Sequence, residues 1–163
     1  MTLMETLILA ENSDLLEEIL AKFPVDKERI MGIDVYRLEF DEDLVMHLYG
    51  FTASGKVPES FFSRILIGLT GIVVLAGSDF GKFWDETNEI VRELEERNPA
   101  IPLVVAIKAG DVQYQKMEPR LKDAGLLLSD RSRLCFWTPD DSASIRNIWQ
   151  VLWLELQKSA EKA

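Results

Sequence analysis

Two short stretches constrain this chain more than any others: Ile72 to Leu75, inside the run Gly71 to Ala76, and Leu103 to Ile107, apolar at every position. A strand with one face in water alternates apolar and polar residues. A run without alternation therefore predicts a strand buried on both faces, as in the parallel centre of a sheet covered by helices. Between the two, Phe80 to Arg97 predicts a long helix with Phe83, Trp84, Thr87, Ile90, Val91 and Leu94 on one side. Its Glu-rich, Arg-containing other side is a solvated face.

The remaining elements extend this alternation. Thr6 to Ala10 predicts a short buried strand, and Glu11-Asn12-Ser13-Asp14 a helix start. Leu15, Leu16, Ile19, Leu20 and Phe23 form that helix's apolar face, and Pro24 ends it. Ile33 to Phe40 and Leu44 to Tyr49 alternate with period two around the acidic turn Asp41-Glu42-Asp43, which predicts a hairpin near a sheet edge. A loop from Gly50 to Lys56 and an aromatic-rich helix start at Phe61 and Phe62 follow. Met117 to Leu126 predicts a shorter helix, with Gly125 near its stop, and Leu134 to Trp137 the last strand. Pro139-Asp140-Asp141-Ser142 opens a final helix with Ile145, Ile148, Trp149, Leu152 and Leu156 at core spacing. The expected fold is α/β, a three-layer α/β/α sandwich of about six strands, mostly parallel with one antiparallel edge strand.

With 163 residues, 47 % of them hydrophobic, the chain suits a single domain over 1–163. A formal net charge of -10 sets its field against phosphates, so neither nucleic acid nor an anionic membrane is an expected partner. No apolar run reaches the roughly 18 to 20 residues of a membrane span. Cys135 is the only cysteine, which excludes an internal disulfide. With no leader-like segment at the start, the expectation is a cytoplasmic protein. His47 and Cys135 are single and lack ligand spacing, so no metal site is expected.

The element order resembles that of the Ras-like small GTPases, within the P-loop NTPase fold, over nearly the whole chain. Ile30-Met31-Gly32-Ile33-Asp34 is similar to the Thr-x-Gly-x-Asp stretch that enters the family's second strand. His47-Leu48-Tyr49-Gly50 resembles the strand end before Thr-Pro-Gly-Gln in bacterial small GTPases of the gliding-motility polarity type. Gly71-Ile72-Val73-Val74-Leu75 resembles their fourth strand. Pro102-Leu103-Val104-Val105 with Lys108 resembles the strand leading to their guanine-reading Asn-Lys-x-Asp.

The residues that carry chemistry in that family differ here. The first turn has no glycine, and a gapless comparison with a Walker-type loop sets Leu16 at the lysine position and Glu17 at the magnesium-ligand hydroxyl. Glu11, Asp14, Glu17 and Glu18 suit a helix N-terminus but repel a phosphate. Ile30 stands where the switch threonine would ligate magnesium, and Phe51-Thr52-Ala53-Ser54 replaces the Thr-Pro-Gly-Gln loop. In the base-reading motif Asn becomes Ile107, Lys108 is kept, and Asp111 falls one place late.

The resemblance with these departures implies a pseudo-GTPase, a catalytically inactive regulatory or scaffolding module without cofactor, in which Lys108 and Asp111 are vestigial nucleotide contacts. The family docks proteins, often roadblock-type homodimers, on the second strand and its flanking loops. The corresponding candidates are Ile30, Met31, Tyr36, Phe51, Phe61 and Phe62, although a role stapling helix to sheet suits Phe61 and Phe62 better. An alternative is a GTP- or ATP-binding hydrolase with an unorthodox site, using Lys108 and Asp111 for the base, backbone amides near Asn12 for phosphate, and magnesium. A phospho-acceptor receiver domain fits less well, because Gly50 stands where it needs an aspartate and the early hairpin conflicts with its fold.

Overall fold

The computed structural model describes residues 2–30, 33–52, 63, 68–77, 81–109 and 132–162, the side chains of 81–82, 84–86 and 159–162 excepted. The expected helix from Met117 to Leu126 lies outside these residues, as do Met31, Phe61, Phe62, Asp111 and the side chain of Trp84. Seven strands form one sheet: β1 (Thr2–Ala10), β2 (Val25–Ile30), β3 (Ile33–Glu39), β4 (Leu44–Thr52), β5 (Gly71–Ala76), β6 (Leu103–Lys108) and β7 (Ser132–Trp137). Their order is β2-β3-β4-β1-β5-β6-β7. The pairs β4–β1, β1–β5, β5–β6 and β6–β7 are parallel, and the pairs β2–β3 and β3–β4 at one end are antiparallel.

The two uninterrupted apolar runs are β5, buried throughout, and β6, buried up to Lys108. Both faces of the sheet are covered. On one face Leu15, Leu16, Ile19 and Leu20 of α1 (Ser13–Leu20) and Ile145, Ile148, Trp149 and Leu152 of α3 (Ser142–Lys162) pack with Met46, Leu48, Val73 and Trp137. On the other, Phe83, Val91 and Leu94 of α2 (Gly81–Arg97) pack with Leu7, Ile72, Val74 and Val105. The buried Glu155 of α3 is held by Arg133 of β7 at 3.0 Å and by Lys158 at 3.1 Å. Gly71 lets α3 approach closely: a Cβ there would lie 2.9 Å from Leu152 Cδ1.

The hairpin forms as expected, with Asp41 Oδ1 accepting from the N–H groups of Asp43 at 2.8 Å and Leu44 at 2.9 Å. α1 stops at Leu20, so Phe23 lies beyond the helix, and β7 begins two residues early at Ser132. Three differences from the sequence expectation are larger. β1 begins at Thr2, because its first residues pair with Leu44 to His47. β4 runs through Gly50 and Phe51 to Thr52, since β1 pairs with it as far as Ala10; the first three residues of the expected loop are therefore strand. β2 is a strand more than the apolar alternation indicates, lying outside β3 with Asp26 to Ile30 exposed. Charge along an exposed edge, rather than apolar alternation, is how sheets end.

Candidate functional site

Ligands of open parallel sheets bind beyond the carboxyl ends of the strands. Here those ends gather Glu11 and Asn12 after β1, Gly50 in β4, Gly77 after β5 and Lys108 closing β6. Asn12 is the N-cap of α1, with extended backbone (φ -151°, ψ 168°), and its Oδ1 accepts from the Leu15 N–H at 3.0 Å. That bond satisfies one of the donors a helix start leaves free. The Glu11 N–H donates to the Leu75 carbonyl at 2.9 Å, continuing the β1–β5 ladder past the strand end. Its carboxylate then crosses to β5 and accepts from the Gly77 N–H at 2.6 Å. A Cβ at position 77 would lie only 3.0 Å from Glu11 Oε2.

Two further contacts close the same end of the sheet. Lys108 Nζ donates to Glu18 Oε1 at 3.0 Å, and its charge sits 2.8 Å from Oε2 without the alignment of a second hydrogen bond. Both side chains are about one-third exposed, at 33 % and 34 %. Leu16 packs over β4, where a Cβ on Gly50 would meet Leu16 Cδ2 at 2.8 Å. Leu16 itself is buried, 6 % exposed.

Lys108, a candidate nucleotide contact by sequence, is thus the partner of an acid on α1. Of the docking candidates, Ile30 is 49 % exposed at the end of β2. Tyr36 is half-buried against the α1–α3 core, with Lys27 Nζ 5.8 Å from its ring centre. Burial raises its phenol pKa first, Lys27 lowers it, and Asp34 and Glu17 raise it. Phe51 is half-buried against the core on the α2 side. Register pairs share a face, so Ile30, Ile33, Val35, Tyr49 and Phe51 form one side while Lys27, Tyr36 and Leu48 form the other. Ile30 and Phe51 are brought to one face and Tyr36 to the opposite one.

Sequence reasoning missed the Glu11–Gly77 bond and the strand β2. Neither has an apolar signature; β2 is marked only by its alternating charges, Asp26-Lys27-Glu28-Arg29. Among the described residues no three His, Cys, Asp or Glu side chains gather as metal ligands do, and no helix is long and apolar enough to cross a membrane. The sequence matches no family model, and no curated protein matches it significantly.

Proposed function

We propose that this chain is a pseudo-GTPase: a small-GTPase-like protein of the bacterial gliding-motility polarity type that has given up nucleotide chemistry and works by docking another protein. The observation that carries the reading is the mutual satisfaction of groups at the strand ends. A triphosphate needs free backbone N–H groups and an unpaired cation at the first helix. Here the Leu15 N–H is taken by Asn12, the Gly77 N–H by Glu11, and Lys108 by Glu18. Leu16 fills the place the resemblance gives to the phosphate-binding lysine, and its packing on Gly50 supplies core contacts rather than charge. These residues do not fit GTP, GDP or magnesium.

The strand order β3-β4-β1-β5-β6-β7, with β3 antiparallel, supports the small-GTPase type of three-layer sandwich. The acidic surface, net charge -10, supports a protein partner, of roadblock-dimer type under the resemblance, over nucleic acid. A buried lone thiol at Cys135 suits the cytoplasm.

Isothermal titration calorimetry with GTP and with GDP, each with magnesium, tests the nucleotide half. The expected result is no binding in the low micromolar range. A dissociation constant in that range or tighter would refute the proposal.

A further inference from the structure

The outer edge of β2 is built for one kind of neighbour. The Phe40 N–H donates to the Leu44 carbonyl at 3.0 Å, which makes Phe40 and Leu44 a hydrogen-bonded pair of the β3–β4 ladder. Along an antiparallel ladder such pairs alternate with non-bonded ones. Counting back, Leu38, Tyr36 and Asp34 direct their backbone groups to β4, whereas Arg37, Val35 and Ile33 direct theirs to β2. Their partners Asp26, Glu28 and Ile30 are therefore bonded inward. The N–H and C=O groups of Val25, Lys27 and Arg29 face outward, away from β3, along an edge that no other described strand pairs with.

The same alternation sorts the charges. Lys27 and Arg29 lie on one face of the strand, Asp26 and Glu28 on the other. Lys27 contacts Asp34 at 3.6 Å yet remains 58 % exposed, a surface pair that leaves its charge available.

A second copy of the chain is a poor neighbour for this edge. In antiparallel pairing about a two-fold axis, outward-bonding residues oppose outward-bonding ones. The allowed registers set Lys27 against Lys27 with Asp26 against Glu28, or Glu28 against Glu28 with Lys27 against Arg29, and sliding further sets Asp26 against itself or Arg29 against itself. Like charges directly opposite destabilise a pair. The register that would match Asp26 to Arg29 and Lys27 to Glu28 opposes outward to inward groups, so it cannot form.

We propose that the β2 edge docks an extended segment of a different protein, added antiparallel as an eighth strand, with the pattern apolar-acid-base-acid-base-apolar. Its acids meet Arg29 and Lys27, its bases meet Glu28 and Asp26, and its apolar ends meet Ile30 and Val25. Backbone bonds to Val25, Lys27 and Arg29 supply affinity, and the sorted charges supply selectivity and orientation. This deepens the protein-docking half of the proposed function and rests on it, but not on the nucleotide half.

The test uses two labelled peptides of one composition, Ser-Val-Glu-Lys-Glu-Lys-Ile-Ser and Ser-Val-Glu-Glu-Lys-Lys-Ile-Ser, titrated by fluorescence anisotropy into the full chain. Amide exchange is followed by NMR in parallel. The alternating peptide is expected to bind about tenfold or more tightly than its isomer, because the isomer opposes like charges at two of four positions in either orientation. Its binding should weaken with salt. It should protect the amides of Val25, Lys27 and Arg29 most, because their groups point away from β3 and gain bonds only from the segment, and the exposed double substitution Lys27→Glu with Arg29→Glu should abolish the preference. Equal affinities, or no binding of either peptide at millimolar concentration, would overturn the docking site. Protection of the three outward amides on concentrating the protein alone would assign the edge to a second copy and overturn it too. Because nucleotide binding is titrated separately, loss of either result leaves the other readable.

Discussion

Tyr49 lies beside Glu5 across the β1–β4 pair, its hydroxyl donating to Glu5 Oε1 at 3.2 Å. Burial, then the Glu5 charge, then this hydrogen bond push its phenol up to about 12 from 10.0. Each cause favours the neutral form in the folded protein. The unfolded chain ionises its tyrosines near 10, so this contribution to stability is whole below pH 10 and is lost as pH rises toward about 12. Cys135, pushed by burial from 9.0 up to about 11, adds a loss over its own lower window. Urea denaturation across the alkaline range should therefore show Tyr49→Phe losing less stability than the wild type above pH 10, with the Cys135 loss common to both. Parallel stability curves for the two proteins would mean that the phenol is not linked to folding. Neither shift was legible in the sequence: the last strand, which holds Cys135, was readable, but the approach of Glu5 to Tyr49 depends on the strand register.

At the scale of elements, α1 shows what could be read and what could not. Its start at Asn12 and its face of Leu15, Leu16, Ile19 and Leu20 follow from cap chemistry and helical spacing. That Leu16 comes down on Gly50 does not, because no local pattern records how closely a helix approaches a strand. The contact makes a quantitative expectation possible. Gly50→Ala brings a Cβ to 2.8 Å from Leu16 Cδ2, and the overpacking should cost about 1–3 kcal/mol. In a Leu16→Ala background the same change should cost clearly less, so a double-mutant cycle by urea denaturation should return a coupling of roughly 0.5 kcal/mol or more. Strict additivity would show that Leu16 does not limit the space at Gly50. β2 is the opposite case: between Val25 and Ile30, Asp26, Lys27 and Glu28 have poor strand propensity, and pairing with β3 holds them as a strand.

For the molecule as a whole, the difference between legible and illegible parts is a difference in where burial lies. β1, β5 and β6 sit inside two apolar cores, one against α1 and α3 and one against α2, so their sequences are dictated position by position and declare the fold. β2 and the strand ends are governed by charge pairing between distant residues such as Glu18 and Lys108, which many sequences could satisfy. The same gradient should appear in dynamics, because local opening needs little when few apolar contacts are lost. In native-state hydrogen exchange the amides of Ile72, Val74 and Val105 are expected to exchange only through global unfolding. The inward-bonded amides of Glu28 and Ile30 should exchange through opening of β2 alone, with protection at least about a hundredfold lower and little dependence on denaturant. Val25, Lys27 and Arg29, whose backbone groups point away from β3 and meet no other described strand, should be close to unprotected in the free protein. Equal protection of β2 and β5 would mean that the edge strand is locked into the core's cooperative unit. A strand so locked would gain little from a docked neighbour, whereas one that opens alone is ordered by the segment that binds it, so the exchange pattern also measures how much of the docking energy goes into fixing β2.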